Sequence, residues 1–173
     1  MTDAKAVIFD IDQTLANNFH RHNLADNKDW SKFHDACLLD DPIVPMMKLL
    51  CMFYYSGHEV FLLTARPEAV RIKTNTWLKS YSGLEFGARN LLMRRNDDER
   101  PSCEVKESML HRKILKHYDI FCAFEDNENC IDMYTRNGIL CIKPMIKGGD
   151  VTLCKKCGNL VRDEDGDYVL QSN

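Results

Sequence analysis

The sequence predicts an α/β protein built on a doubly wound parallel sheet. Five apolar runs of strand length recur, at residues 5–10, 58–63, 89–93, 119–124 and 139–142. Helical patterns at residues 43–55, 67–81, 104–117 and 127–137 lie between them. Strands that alternate with helices pair in parallel and are covered on both faces. In addition, two of the runs end on neighbouring acids, as expected where strand ends meet a ligand.

The elements follow in chain order. "AVIF" at residues 6–9 is a short apolar run that reads as a buried strand. Residues 15–57 are too long for a simple crossover. They hold a polar part (17–29), a short helix (29–38) and a stronger helix (43–55). "HEVFLL" gives the second strand, and in 67–81 Val70, Thr74, Trp77, Leu78 and Tyr81 share one helix face behind Pro67. "RNLLM" is a weaker third strand, and Val105, Met109 and Ile114 mark the helix of 104–117. "DIFCAF" and "ILCI" are the last two strands, with Ile131 and Tyr134 on the helix between them and Gly138 as its cap. From Lys147 the composition shifts to a tail with one hairpin, turning at Asp165-Gly166. The expected units are residues 1–146, with a small helical cap inserted at about 16–42, and a tail over 147–173.

Composition narrows the functional classes. The 173 residues are 45% hydrophobic and carry a net charge of −3, so no general basic field announces nucleic acid. No apolar run is long enough for a membrane span, and Met1 to Lys5 do not resemble a signal peptide; a cytoplasmic setting is expected. Five of the eight cysteines, Cys37, Cys51, Cys122, Cys130 and Cys141, sit in apolar segments and read as small core residues. Cys154 and Cys157 form the one tight pair, "CKKCG", like one knuckle of a zinc ribbon. Structural Zn²⁺ needs four ligands; Cys103, His111, Cys141 or a second chain are the candidates. The missing second pair favours unmetallated thiols.

Three strand ends carry chemistry. Asp10 ends the first strand, and Asp12, two residues on, projects to the same side while the chain stays extended. Burying two such acids is costly unless a cation lies between them and a substrate. Mg²⁺ prefers carboxylate oxygens and often binds through a substrate phosphate. Thr64 in "LLTARP" either binds an anion together with the next helix N-terminus or caps that helix. "AFEDNEN" places Glu125 and Asp126 at the end of the fourth strand. If that strand neighbours the first, all these acids converge. "RRNDDERPSCEVKES" adds Arg94, Arg95, Arg100 and Lys106, with Lys106 suited to phosphate as a point charge.

In this order, "FDIDQTL", "LLTAR", Lys106 and "FEDNEN" resemble the four motifs of the haloacid dehalogenase superfamily of phosphotransferases, over roughly residues 5–143. The spacing of Asp10, Asp12, Arg21, "TAR", Arg94, Asp98, Arg100, Lys106 and "ED" is similar to the 3′-phosphatase domains of phage polynucleotide kinase–phosphatases. No G-x4-G-K-[ST] loop occurs in the chain. Three positions depart from the pattern: Gln13 stands where Gly is usual, Thr64 where Ser is common, and Glu125 where Asp is common. The longer Glu125 suits contact through water, leaving Asp126 as the direct ligand.

The resemblance implies a Rossmann-like sheet and an Mg²⁺-dependent phosphomonoesterase. Asp10 is then the nucleophile and Asp12 the proton donor and acceptor. Asp10, the backbone carbonyl of Asp12, Asp126 and Glu125 form the metal site. Thr64 and Lys106 bind phosphate oxygens. Arg21, Arg66, Arg94 and Arg100 are expected to grip the substrate, and surface pairing with acids such as Asp97 and Glu99 is the competing reading of each. In that superfamily a small cap goes with large substrates, so the resemblance implies phosphorylated polynucleotide ends as partners, with removal of a 3′-phosphate. A nucleotidase acting on mononucleotides and a catalytically weak end-binding module are the alternatives. The sequence does not give the oligomeric state.

Overall fold

The computed structural model describes residues 5–145, 159–162 and 168–171. Its main sheet has five parallel strands: β1 (Ala6–Phe9), β4 (Glu59–Pro67), β5 (Leu91–Arg94), β6 (Ile120–Phe124) and β7 (Cys141–Ile142). The small strands β2 (Ala16–Asn17) and β3 (Asp41–Pro42) pair antiparallel with each other. Spatial order in the main sheet is β5-β4-β1-β6-β7. The chain therefore leaves central β1 to one side and later returns to its other side. Such a reversal opens a crevice beyond the carboxyl ends of the central strands.

Alternation along β1 divides the core. Val7 and Phe9 face one cluster, with Met46, Met47, Leu50, Trp77 and Leu78. Those partners come from α3 (Val44–Tyr55) and α4 (Arg71–Ser82). Ala6 and Ile8 face the other cluster, with Val105, Met109, Met133 and Tyr134. These come from α5 (Ser102–Met109) and α6 (Glu128–Arg136). Burying a side chain such as Phe9 or Ile8 contributes about 1.5–3 kcal/mol, and Phe9 also stacks on Phe124 with ring centroids 4.6 Å apart. The expected doubly wound sheet is present. So are all five strands.

Element ends differ from expectation where local chemistry intervenes. The helix expected to start at Pro67 starts later: Pro67 still belongs to β4, a 3-10 turn covers Glu68–Val70, and α4 follows. Proline forces the preceding residue, Arg66, into extended backbone, so the strand runs through the whole "TARP" segment. The helix of 104–117 is α5 followed by a π-helical turn at Leu110–Ile114. The polar part near residue 20 holds a 3-10 turn, Phe19–Arg21, and α1 (His22–Asp26). No apolar periodicity marks these. α2 (Trp30–Asp35) and a 3-10 turn at Ala36–Leu39 fill the expected short helix. Gly138 takes φ +75° after α6, as a helix-ending glycine does.

In the tail, β8 (Asn159–Arg162) and β9 (Tyr168–Gln171) pair antiparallel. The expected turn at Asp165-Gly166 and the Cys154/Cys157 pair lie outside the described residues. No helix among the described residues is long and apolar enough to cross a membrane.

Candidate active site

Parallel pairing of β1 with β6 puts Phe9 beside Phe124. The next residues of each strand, Asp10 and Glu125, are therefore neighbours, and the Asp10 N–H donates to the Phe124 carbonyl at 2.9 Å. Both acids are buried. Lys106 reaches them from α5: its Nζ donates to Asp10 Oδ1 and to Glu125 Oε2, each at 2.6 Å. Asp126 completes the group, and one carboxylate oxygen from each of Asp10, Glu125 and Asp126 lies within 4.8 Å of the others.

Three carboxylates against one ammonium leave excess negative charge in a buried place. Burial, with the charge of Glu125, lifts the Asp10 carboxyl to about 7. Burial, with the charge of Asp10, lifts Asp126 to about 6. Burial also raises Glu125. Burial alone would discharge Lys106, but Asp10 and Glu125 outweigh it and keep the ammonium firmly protonated. The donor set is all oxygen, which fits a hard divalent cation such as Mg²⁺.

Asp12 faces a different environment. After Ile11 the chain turns sharply: the N–H groups of Leu15 and Ala16 both donate to the Ile11 carbonyl at 2.8 Å. Gln13 adopts φ +61° there, the left-handed conformation that glycine takes without cost. Its side-chain amide donates to Asn18 Oδ1, and Asn18 Nδ2 donates to Asp12 Oδ1 at 3.0 Å. Gln13 thus supplies the turn that glycine would supply and a brace that glycine could not.

Two buried arginines hold the rest of the Asp12 carboxylate. Arg66 Nε donates to Oδ2 at 3.0 Å and Nη2 to Oδ1 at 2.9 Å, while Arg21 Nη2 donates to Oδ1 at 2.6 Å. Burial would raise the Asp12 pKa, yet Arg66 and Arg21 reverse that and hold it below the usual carboxylate range. A second acid neutralises the remaining guanidinium charge. Asp40, fully buried, accepts from Arg21 Nε and Nη2 at 2.7 Å and from Arg66 Nη2 at 2.6 Å. The Trp77 indole N–H fixes the Asp40 carbonyl at 2.6 Å. Arg21 also donates to the Phe33 carbonyl at 2.9 Å and lies over the Phe33 ring.

Paired acids at adjacent strand ends, a buried lysine and a bracing turn form one constellation. Residues 4–149 match the family model described as the polynucleotide kinase PNKP phosphatase domain. The chain belongs to this family of haloacid dehalogenase-type phosphatase domains. Its fold is similar to that of a protein in the Pnkp1/Rnl/Hen1 RNA repair complex, with TM-score 0.70 and 24% identity, covering 83% of this chain and 43% of that one. The class C acid phosphatase of Bacillus anthracis matches with TM-score 0.57 and 12% identity, over 80% of this chain and 63% of that one. A haloacid dehalogenase-like family protein of Streptococcus pneumoniae matches with TM-score 0.56 and 12% identity, over 82% of this chain and 84% of that one. The phosphatase domain spans less than half the length of the repair-complex protein it resembles.

Most of the expected site residues of this phosphatase domain fall into two clusters. Asp10, Lys106, Glu125 and Asp126 meet in the acidic cluster. The side chains of Asp12, Arg21 and Arg66 meet beside it, around Asp40. Thr64 is fully buried in β4, and its hydroxyl accepts from the Arg66 N–H at 3.1 Å. It therefore shapes the strand end rather than capping the later helix. Arg94 braces the loop after β5, donating to the carbonyls of Ala65, Asp98 and Arg100. Arg100 pairs with Asp98 at 2.6 Å on the surface.

Asp40, Asn18, Gln13 and His20, whose ring nitrogen lies 2.9 Å from Asp40 Oδ1, belong to the site without any sequence expectation of that kind. The one available signal was Asp40 itself, an acid placed just before the short strand that returns to β2.

Proposed function

We propose that the phosphatase domain is an Mg²⁺-dependent phosphomonoesterase that removes the 3′-phosphate from polynucleotide ends. The observation that carries this reading is Asp10: a buried carboxylate at the end of the central strand, with one oxygen held by Lys106. Its other oxygen is the nucleophile. It attacks phosphorus in line with the leaving 3′-oxygen; the P–O bond to the nucleoside breaks and an aspartyl-phosphate forms on Asp10. Asp12 passes a proton to the departing alkoxide, then takes one from the water that attacks the aspartyl-phosphate. That second attack releases inorganic phosphate and restores Asp10.

Asp10, Asp126 and the backbone carbonyl of Asp12 would hold Mg²⁺, with Glu125 supporting through water. When bound, the ion neutralises phosphoryl oxygens that would otherwise face carboxylates. Lys106 screens the same charge from the protein side and fixes the attacking group. Thr64 holds the β4 end against the site.

Residues 16–42 would form a small cap on a unit of about 1–146, leaving the crevice open to a long substrate. The family match and the arginine-rich surroundings of Asp12 support a nucleic-acid end as that substrate. Phosphate release should be compared among 3′-phosphorylated oligonucleotides, 5′-phosphorylated oligonucleotides and free nucleotides, with Mg²⁺ present. Release from the 3′-phosphorylated oligonucleotide, lost in Asp10→Asn, is expected. Activity confined to mononucleotides would replace this reading with a nucleotidase, and binding without turnover would replace it with an end-binding module.

A further inference from the structure

An aromatic ladder leads from Asp12 to the surface. Arg21 donates from Nη2 to Asp12 and from Nη1 to the Phe33 carbonyl, so Asp12 and the backbone of α2 stand only a guanidinium apart. His34 follows Phe33 directly. Its ring stacks with that of Trp30, centroids 6.4 Å apart and planes 29° from parallel. Trp30 also meets Phe33 edge-on at 5.7 Å. The ladder ends in solvent, with Trp30 54% exposed.

That exposure is not a packing remnant. Phe33, on the same short helix, is buried and supplies its anchor, while the large Trp30 ring is left more than half exposed. The ring it stacks on, His34, feels the charges of Asp12, Arg21, Arg66 and Arg94. Burial pushes the His34 imidazole down to about 4, so the ring stacked on Trp30 is neutral near pH 7. A flat, neutral aromatic pair on the helix whose Phe33 carbonyl receives Arg21 suits a flat, uncharged heterocycle attached to a phosphate.

We propose that Trp30, supported by His34, is the stacking platform for the nucleobase at the phosphate-bearing end. The inference rests on the polynucleotide reading above and deepens it. Stacking on an indole face tolerates any base, because every base has a π-face. The platform therefore fixes the end's orientation without reading its sequence.

The test uses two 3′-phosphorylated oligonucleotides that differ only in whether the terminal sugar carries a base. Wild type should favour the base-bearing end in kcat/KM by roughly tenfold or more. In Trp30→Ala that ratio should fall to near one, and Trp30→Phe should keep most of it. A ratio near one in wild type, or an unchanged ratio in Trp30→Ala, overturns the platform while leaving the phosphatase reading intact. No release from any oligonucleotide by wild type overturns the polynucleotide reading instead. Loss of self-association in Trp30→Ala with the ratio preserved would make this face, with exposed Leu39 nearby in sequence, a protein interface.

Fluorescence supplies a second readout that needs no Trp30 variant. The chain has two tryptophans, and Trp77 is buried. In Asp10→Asn, the base-bearing end should quench emission more than the abasic end at equal saturation; equal quenching would also overturn the proposal.

Discussion

Asp40→Asn tests whether the pair of arginines beside Asp12 depends on a buried counter-charge. The carboxylate is fully buried and receives Arg21 through Nε and Nη2, Arg66 through Nη2, and the His20 ring. Asparagine matches its shape but offers one oxygen and one NH₂, and that NH₂ must face guanidinium donors. Two buried guanidinium ions then share Asp12 alone. Removing one partner of a buried ion pair costs about 3–5 kcal/mol, because the other charge is left uncompensated. Against a total stability of roughly 5–15 kcal/mol, that is a large fraction. For a chain of this size about 1 kcal/mol moves the melting midpoint by about 2–4 °C, so a fall of roughly 6–20 °C is expected. Urea unfolding followed by circular dichroism should show a lower midpoint at constant slope. Asp97→Ala, which breaks an exposed pair with Arg95, should leave the midpoint in place. A loss below about 1 kcal/mol in Asp40→Asn at unchanged slope would refute the assigned role.

Three further outcomes follow from contacts around Asp10 and Asp12. Lys106→Met removes the ammonium shared by Asp10 and Glu125, and single-turnover rates should fall by about 10²–10³-fold, as for loss of a preorganised electrostatic donor. Gln13→Gly relieves the left-handed backbone and should raise stability by up to about 1 kcal/mol in urea titration. Turnover should nevertheless drop, because Asn18 loses its brace. Asp12→Asn keeps an acceptor for the arginines but carries no transferable proton. Formation of the aspartyl-phosphate should slow severely on a 3′-phosphorylated oligonucleotide and far less on an aryl phosphate, whose leaving group needs no proton; equal slowing on both would reject the assigned role of Asp12.

Much of the fold was legible because apolar runs of strand length are hard to read otherwise. β1 and β6 are such runs, and both end on acids. The pairing of these two strands, inferred only conditionally from "FDID" and "FEDN", turned the acids into one cluster. Helix starts were less legible. At Pro67 the rule that places proline in the first helical turn competed with the rule that extends the residue before it, and the second won. α1 carries no apolar stripe, so periodicity could not find it.

The arginines were legible as functional only through family likeness, and their pairing with Asp12 and Asp40 was not legible. Asp40 lies 19 residues from Arg21 and 26 from Arg66, so no local pattern joins them. Gln13 looked like a departure from the motif because its left-handed backbone and its contact with Asn18 are both properties of the folded turn.

Asp10 and Asp12 are separated by one residue, yet the fold drives them in opposite directions. Asp10 lies in a carboxylate-rich place that raises its pKa to about 7; Asp12 lies in an arginine-rich place that lowers its own. Two carboxylates with divergent environments are the usual basis for dividing acid and base work between them. On the proposed reading the division is set by what arrives. A cation at the acidic cluster favours ionised Asp10, and an incoming phosphate competes with Asp12 for Arg21 and Arg66. On that reading those arginines would not be left unpaired by engaging phosphate, because each already holds Asp40. Asp12 is then freed from the contacts that oppose its protonation. Asp40 thus links substrate arrival to the proton that the leaving alcohol requires, although it touches neither.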